Sequence, residues 1–69
     1  MKISARNILK GTIAEIAKGA TTSHVRIDIG GGAIVTASIT NEAVADLKLE
    51  KGKQACAVVK ASDVLVGVD

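Results

Sequence analysis

Aromatic residues and proline are absent from this sequence of 69 residues. Proteins that bind single-stranded nucleic acid without sequence preference stack the bases on aromatic rings, and aromatic cages for organic cations need the same rings. Without any such ring, the chain must recognise its ligands through hydrogen bonds, charge and shape. The formal net charge of +2 is also too small to indicate a polyanionic partner. We therefore do not expect nucleic acid among its partners.

Cysteine is nearly absent as well, since Cys56 is the only one. One cysteine cannot form a disulfide within the chain, which favours a reducing compartment. No apolar run approaches the ~20 residues of a membrane-spanning helix, and residues 1–6 lack the apolar core of a secretory signal. These features predict a cytoplasmic protein that does not enter a membrane.

The large apolar side chains available for a core are eight isoleucines, eight valines, four leucines and one methionine. A chain of this length forms one domain, residues 1–69, and buries a smaller fraction of its surface than larger domains do. It has neither a disulfide nor a bulky ring to compensate. Small domains with this shortage are commonly stabilised by association, so we expect a homo-oligomer.

Alternation of apolar and polar residues predicts most of the secondary structure. Val25, Ile27 and Ile29 alternate with polar residues, which is typical of a half-buried strand. Three glycines at residues 30–32 then indicate a hairpin turn, and residues 33–39 predict a second strand. An upstream strand at residues 10–17 has Ile13 and Ile16 as its core anchors. Two further apolar strands are predicted at residues 54–60 and 63–68.

One segment has the features of a helix. Thr40 or Asn41 can cap its start, Glu42 favours its positive end, and Ala43, Val44 and Leu47 form one apolar side. The predicted fold class is therefore all-β, a small five-stranded OB-like barrel with one short helix between strands 3 and 4.

Catalytic and cation-binding patterns are missing. The lone His24 falls at an outward strand position, Cys56 lies in an apolar strand typical of a buried thiol, and no carboxylates pair with either. The glycines at 30–32 lack the helix and the Lys-Ser/Thr of a phosphate loop. We predict no enzyme activity and no metal-cation site.

Hydrogen-bond donors instead gather in three segments near the ends of predicted strands. Residues 4–7 combine a hydroxyl, a guanidinium and backbone N–H groups; residues 60–62 add an ammonium and a hydroxyl; residues 19–23 add further hydroxyls and N–H groups. Each segment alone is compatible with an ordinary turn or strand end. Together, donors without carboxylates are typical of an anion-binding concavity. The residues by themselves predict a small β-barrel that can bind an anion.

The sequence resembles the molbindins, or Mop domains, a family of small molybdate- and tungstate-binding proteins. The likeness begins with Ile3-Ser4-Ala5-Arg6-Asn7-Ile8-Leu9-Lys10-Gly11 and continues, in order and spacing, through Gly30-Gly31-Gly32, Ile39-Thr40, Gly52-Lys53 and Val59-Lys60-Ala61-Ser62-Asp63-Val64. It covers essentially the whole chain. The resemblance implies an OB-like fold, a hexamer built as a trimer of dimers, and oxyanions bound between subunits in a storage protein.

Two classes of oxyanion site are implied by this resemblance. The first, at an interface, would use Ser4, Ala5, Arg6, Lys60, Ala61 and Ser62, with Thr40 from a neighbouring subunit. The second, near the threefold axis, would use Gly19, Ala20, Thr21 and Thr22. Many members carry asparagine where this chain has Thr22, so the second class departs from the family pattern.

Molybdate and tungstate suit sites made only of donors. Both are tetrahedral dianions at neutral pH with four acceptor oxygens and no proton, whereas monoprotonated phosphate would leave its O–H facing donors, at a cost of ~1–3 kcal/mol. Sulfate is smaller and would be held loosely. Two other classes stay open from the sequence: a nucleic-acid-binding OB domain, which the lack of aromatic residues disfavours, and a purely structural oligomerisation module.

Overall fold

The computed structural model describes residues 1–69 as one curled antiparallel sheet with a short helix beside it. The strands are β1 (Asn7–Lys18), β2 (Thr22–Gly30), β3 (Ala33–Thr40) and β4 (Gln54–Val59), and the helix α1 spans Asn41–Asp46. The strand order in the sheet is β3-β2-β1-β4. The two edges are therefore β3 and β4, and the long β1 is paired along its first half with β4 and along its second half with β2.

The predicted hairpin between β2 and β3 is confirmed. Gly31 and Gly32 at its tip have φ values of 62° and 83°, and a two-residue type I′ turn needs positive φ at both positions. On β3, Val35, Ala37 and Ile39 share the inward face and are half-buried, while their neighbours are exposed. Glycine thus allows the tight turn that sets this register.

A bulge in β1 explains how two residues with odd spacing can both face the core. The pairing with β2 shifts between Ile13 and Glu15, so that one extra residue lies on β1. As a result Ile13, which is 1% exposed, and the half-buried Ile16 both pack inward, as predicted. The fully buried apolar core is small and consists of Ile13, Val25, Ile27 and Ala57.

The helix begins where the sequence predicts. Thr40 is the N-cap, and its Oγ1 accepts a hydrogen bond of 3.0 Å from the backbone N–H of Ala43. Val44 packs against the core from one side of α1. Just beyond the helix, the Lys53 ammonium donates to the backbone carbonyls of Leu47 and Lys48 at 3.1 and 3.0 Å, which stabilises the connection to β4.

Two details of the predicted barrel are wrong, although the OB-like architecture is confirmed. The fifth strand expected at residues 63–68 does not form: Ala61–Asp63 is a single 3-10 turn, and the chain beyond it pairs with no strand. Its apolar side chains have no partner within the chain, and Leu65 remains 93% exposed. Cys56 lies on β4 as expected but is exposed rather than buried, because Ala55 and Ala57 occupy the inward positions.

Candidate functional site: two donor-rich ends of one sheet

The β1–β4 ladder brings two of the three donor segments together. Its last pair is Asn7 with Val59, and the Asn7 side-chain amide donates to the Val59 carbonyl at 3.1 Å. Because the strands are antiparallel, the chain before Asn7 and the chain after Val59 leave the ladder at the same end. We call the residues found there the terminal cluster; they are Ser4, Ala5, Arg6, Lys60, Ala61 and Ser62.

The charges of the terminal cluster are free to act on a ligand. Arg6 and Lys60 are exposed, and neither forms an ion pair with a carboxylate. The single ion pair of the chain joins Arg26 to Glu15 at 3.7 Å on the outer face of the sheet. Two unneutralised cations beside the hydroxyls of Ser4 and Ser62 attract an anion and can donate hydrogen bonds to its oxygens.

The third donor segment lies at the opposite end of β1. We call residues 19–22 the hairpin loop; they comprise the connection between β1 and β2 and the first residue of β2. The backbone N–H of Gly19 donates to the Thr22 carbonyl at 2.8 Å. The backbone N–H groups of Ala20 and Thr21 donate to no acceptor in the chain. Both residues are exposed, so these N–H groups and the two threonine hydroxyls can face a ligand.

Thr40 lies at the hairpin loop and not at the terminal cluster. It pairs with Thr22 across the β2–β3 ladder, at the end of β3 that adjoins α1. Its hydroxyl oxygen already accepts from Ala43, which leaves the hydroxyl proton to donate outward. Within one chain, therefore, the predicted interface set is divided: six residues meet at one end of β1, and Thr40 lies at the other.

An apolar groove of about 710 Å³ opens between the inner faces of β3 and β4. Val35, Ile39, Leu49, Ala55 and Val59 are among its lining residues. The chain exposes 5439 Å² of surface, whereas a compact monomer of this mass exposes roughly 4,000 Å². A large apolar area is therefore left uncovered by the chain itself.

No three residues of the metal-ligating types histidine, cysteine, aspartate and glutamate come together anywhere in the chain. His24 faces outward from β2, as predicted, with Ala17 and Ser38 as its strand neighbours. None of the helices has the length and apolar character to cross a membrane.

A family model described as the TOBE domain matches residues 3–66. The chain belongs to the TOBE domain family. This TOBE domain is 49% identical over 69 residues to the "Probable molybdenum-pterin-binding protein" of Haemophilus influenzae, with 100% of each chain covered. The relatives confirm the resemblance to the Mop proteins seen in the sequence.

Solved structures agree with this assignment. A molybdate-binding protein from Sporomusa ovata superposes with a TM-score of 0.91 at 41% identity, covering 99% of this TOBE domain and 100% of that chain. The cytoplasmic molybdate-binding protein ModG, solved with molybdate bound, gives a TM-score of 0.95 at 46% identity, covering 100% of this domain and 49% of ModG.

Two asparagines at these ends were not predicted as site residues. Asn7 closes the ladder that gathers the terminal cluster, and Asn41 bonds to the hairpin loop through its side chain and its backbone N–H. Asn7 directly follows the Ser-Ala-Arg segment in the sequence, which is a usable signal. The three glycines at 30–32 predict the β2–β3 hairpin but not which two of them form its tip, so the register that brings Asn41 beside residues 19–22 does not follow from the sequence.

Proposed function

We propose that this protein binds molybdate, as a homo-oligomer and without catalysing a reaction. The observation that carries the proposal is the terminal cluster, where Arg6 and Lys60 lie at the same end of the β1–β4 ladder and neither forms an ion pair. Molybdate is a dianion with four acceptor oxygens and no proton, so a cluster of donors satisfies it fully. Two of the similar solved structures, ModG and the Sporomusa ovata protein, are molybdate-binding proteins, which supports this choice among oxyanions.

Tungstate belongs to the same proposal. It matches molybdate in charge, shape and nearly in size, so donors that fit one ion fit the other. We further propose that the single domain of residues 1–69 acts in the cytoplasm, as its relative ModG does. In this setting the protein would store or buffer the oxyanion.

Two classes of site are part of the proposal. In the first, the terminal cluster of one copy is completed by Thr40 of another, since Thr40 lies at the far end of β1 within its own chain. In the second, hairpin loops from several copies surround an oxyanion with their N–H groups and hydroxyls. Burying a dianion requires compensation from many donors, and an interface between copies supplies more donors than one chain can.

The large exposed surface supports the homo-oligomer. Leu65, Val66 and Val68 in the last residues are each more than nine-tenths exposed, at 93%, 92% and 95%. The radius of gyration of 12.7 Å likewise exceeds the ~11 Å of a compact chain of this length. Burial of this apolar tail against the apolar groove of another copy would remove both surfaces from water. A hexamer, a trimer of dimers, is the arrangement that we propose.

Calorimetric titration with molybdate and with sulfate tests the proposal. Molybdate should bind tightly and sulfate weakly. Lys60→Ala should weaken molybdate binding about tenfold or more, because a hydrogen bond to a charged group is worth ~1.5–3 kcal/mol. Lys51→Ala is the matched control: Lys51 is also exposed but lies in the turn before β4, so its loss should leave the affinity unchanged.

The outcomes separate the proposed function from its alternatives. No heat of binding with molybdate or tungstate would contradict the proposal, and an oligomer without any oxyanion effect would indicate a structural module instead. Equal affinities for molybdate and sulfate would remove the selectivity. Wild-type binding by Lys60→Ala would show that residues 60–62 are only a strand end.

A further inference from the structure

The side chain of Asn41 reaches across to the hairpin loop. Its Nδ2 donates to the Gly19 carbonyl at 3.0 Å and to the Ala20 carbonyl at 3.3 Å. The backbone N–H of Asn41 donates to the Thr21 carbonyl at 2.9 Å. One residue therefore contacts three successive carbonyls of the loop.

On the side away from the loop, the Asn41 side chain accepts a hydrogen bond from Ser23. The Ser23 hydroxyl donates to Asn41 Oδ1 at 2.5 Å, and Ser23 is only 1% exposed. Backbone carbonyls can only accept hydrogen bonds, so Nδ2 must face the loop and Oδ1 must face Ser23. The orientation of the amide is thus fixed on both sides. Ser23 is the only polar residue that the chain buries, and Asn41 is the hydrogen-bond partner of its buried hydroxyl.

The consequence for the loop is a separation of acceptors from donors. All four carbonyls of residues 19–22 accept bonds within the chain, three from Asn41 and the Thr22 carbonyl from the Gly19 N–H. The Ala20 and Thr21 N–H groups are left without acceptors. A carbonyl oxygen turned towards an oxyanion would repel it, whereas N–H groups attract it.

We infer that Asn41 is a positioning residue for the oxyanion site of the hairpin loop: it binds the loop carbonyls so that the Ala20 and Thr21 N–H groups are free to face the anion. This inference rests on the proposed function and deepens it. Asn41 does not touch the ligand in this arrangement. It acts through the loop and depends on Ser23 only for its own orientation.

The test uses Lys60→Ala as background, because that variant weakens the terminal cluster and leaves the hairpin class to be measured. Molybdate binding is followed by calorimetry. In the Lys60→Ala background, Asn41→Ala should weaken molybdate binding at the hairpin-loop site about tenfold or more. This is the loss expected when hydrogen-bond donors to a charged ligand are misplaced. With Lys60 intact, Asn41→Ala should keep the terminal class at wild-type affinity.

Two further variants keep the test decisive. Asn41→Asp has the same shape and can still accept from Ser23, but its side chain cannot donate to the Gly19 and Ala20 carbonyls, so it should lose the hairpin class even where Asn41→Ala fails to fold. Ser23→Ala removes the hydrogen bond from Ser23 but keeps the bonds from Asn41 to the loop; it should lower the melting temperature and weaken the hairpin class less than Asn41→Ala does. A purely structural role for Asn41 would instead lower the melting temperature of every variant without changing any affinity.

Failure of the proposed function and failure of the inference about Asn41 would give different results. Absence of molybdate binding by the unmodified protein would defeat the proposed function itself. Binding by the unmodified protein, with none left in Lys60→Ala, would show that the hairpin class does not exist and would overturn the inference alone. Unchanged hairpin affinity in folded Asn41→Asp would also overturn it.

Discussion

The two ends of β1 differ in how many of their polar groups and apolar side chains find partners within one chain. At the hairpin end, Asn41 donates to the carbonyls of residues 19–21, and Ser23 donates to the Asn41 side chain. At the terminal end, one bond from Asn7 closes the ladder, and the residues before and after it are exposed. The hairpin end is organised by hydrogen bonds within its own chain, whereas the terminal end leaves charged and apolar side chains exposed.

This difference assigns separate physical roles to the two ends. A loop whose acceptors are all occupied has a fixed shape before any ligand arrives, which lowers the ordering cost of binding. The terminal cluster has fewer internal bonds, so ligand and partner copy would order it together. Bound oxyanion would then stabilise the assembly by mass action, since it binds only the associated state fully.

The largest effect should come from the apolar tail. Leu65→Asp places a charge on a side chain that is 93% exposed in one chain, so the isolated fold should not suffer. In the proposed hexamer the same charge would be buried without a partner, which is strongly unfavourable. Light scattering should therefore report about 42 kDa for the unmodified protein, six times 7.0 kDa, and a smaller species for the variant.

The control for the tail is Leu65→Met, which keeps an apolar side chain of similar volume and should leave the assembly intact. A Leu65→Asp protein that retains the full mass would show that the tail lies outside the interfaces. The terminal end would then be as self-contained as the hairpin end, and the difference inferred between the two ends would be wrong.

The second-largest effect should come from a substitution in the hairpin loop. A Cβ atom added to Gly19 would lie 2.8 Å from the Thr22 carbonyl oxygen, which real structures do not tolerate without a backbone shift. Gly19→Ala should lower the free energy of unfolding by about 1–3 kcal/mol, the usual cost of overpacking. Chemical denaturation measures this loss. Lys18→Ala, an exposed neighbour, should change it by less than about 0.5 kcal/mol.

The sequence predicted the hairpin end less completely than the core beside it. Alternation in β2 identified the inward Val25 and Ile27 correctly because side-chain direction in a strand repeats every two residues. The contact between Asn41 and residues 19–22 joins segments about 20 residues apart. It depends on strand register, which alternation alone does not fix.

At the terminal end, the sequence located the donor segments but predicted one strand too many. The antiparallel pairing of β1 and β4 brings the donor segments at residues 4–6 and 60–62 to one end of the sheet, whereas their role as an oxyanion site stays a prediction. The fifth strand was wrong because an apolar pattern indicates that a segment needs burial but not which chain supplies the partner. Cys56 was wrong for a related reason: in a continuous apolar run, either set of alternate residues can face inward.

The smallest effect should come from the bond that closes the terminal ladder. Asn7→Ala removes the hydrogen bond of 3.1 Å to the Val59 carbonyl, and a half-buried bond of this kind contributes about 0.5–1.5 kcal/mol to stability. The free energy of unfolding should fall by that amount. Molybdate affinity of the terminal class should fall as well, because residues 4–6 and 60–62 are then less firmly held side by side, whereas the hairpin class, at the other end of β1, should keep its affinity. If both classes weakened equally, the two ends would be coupled through β1, and the independence that the bonding pattern indicates would be wrong.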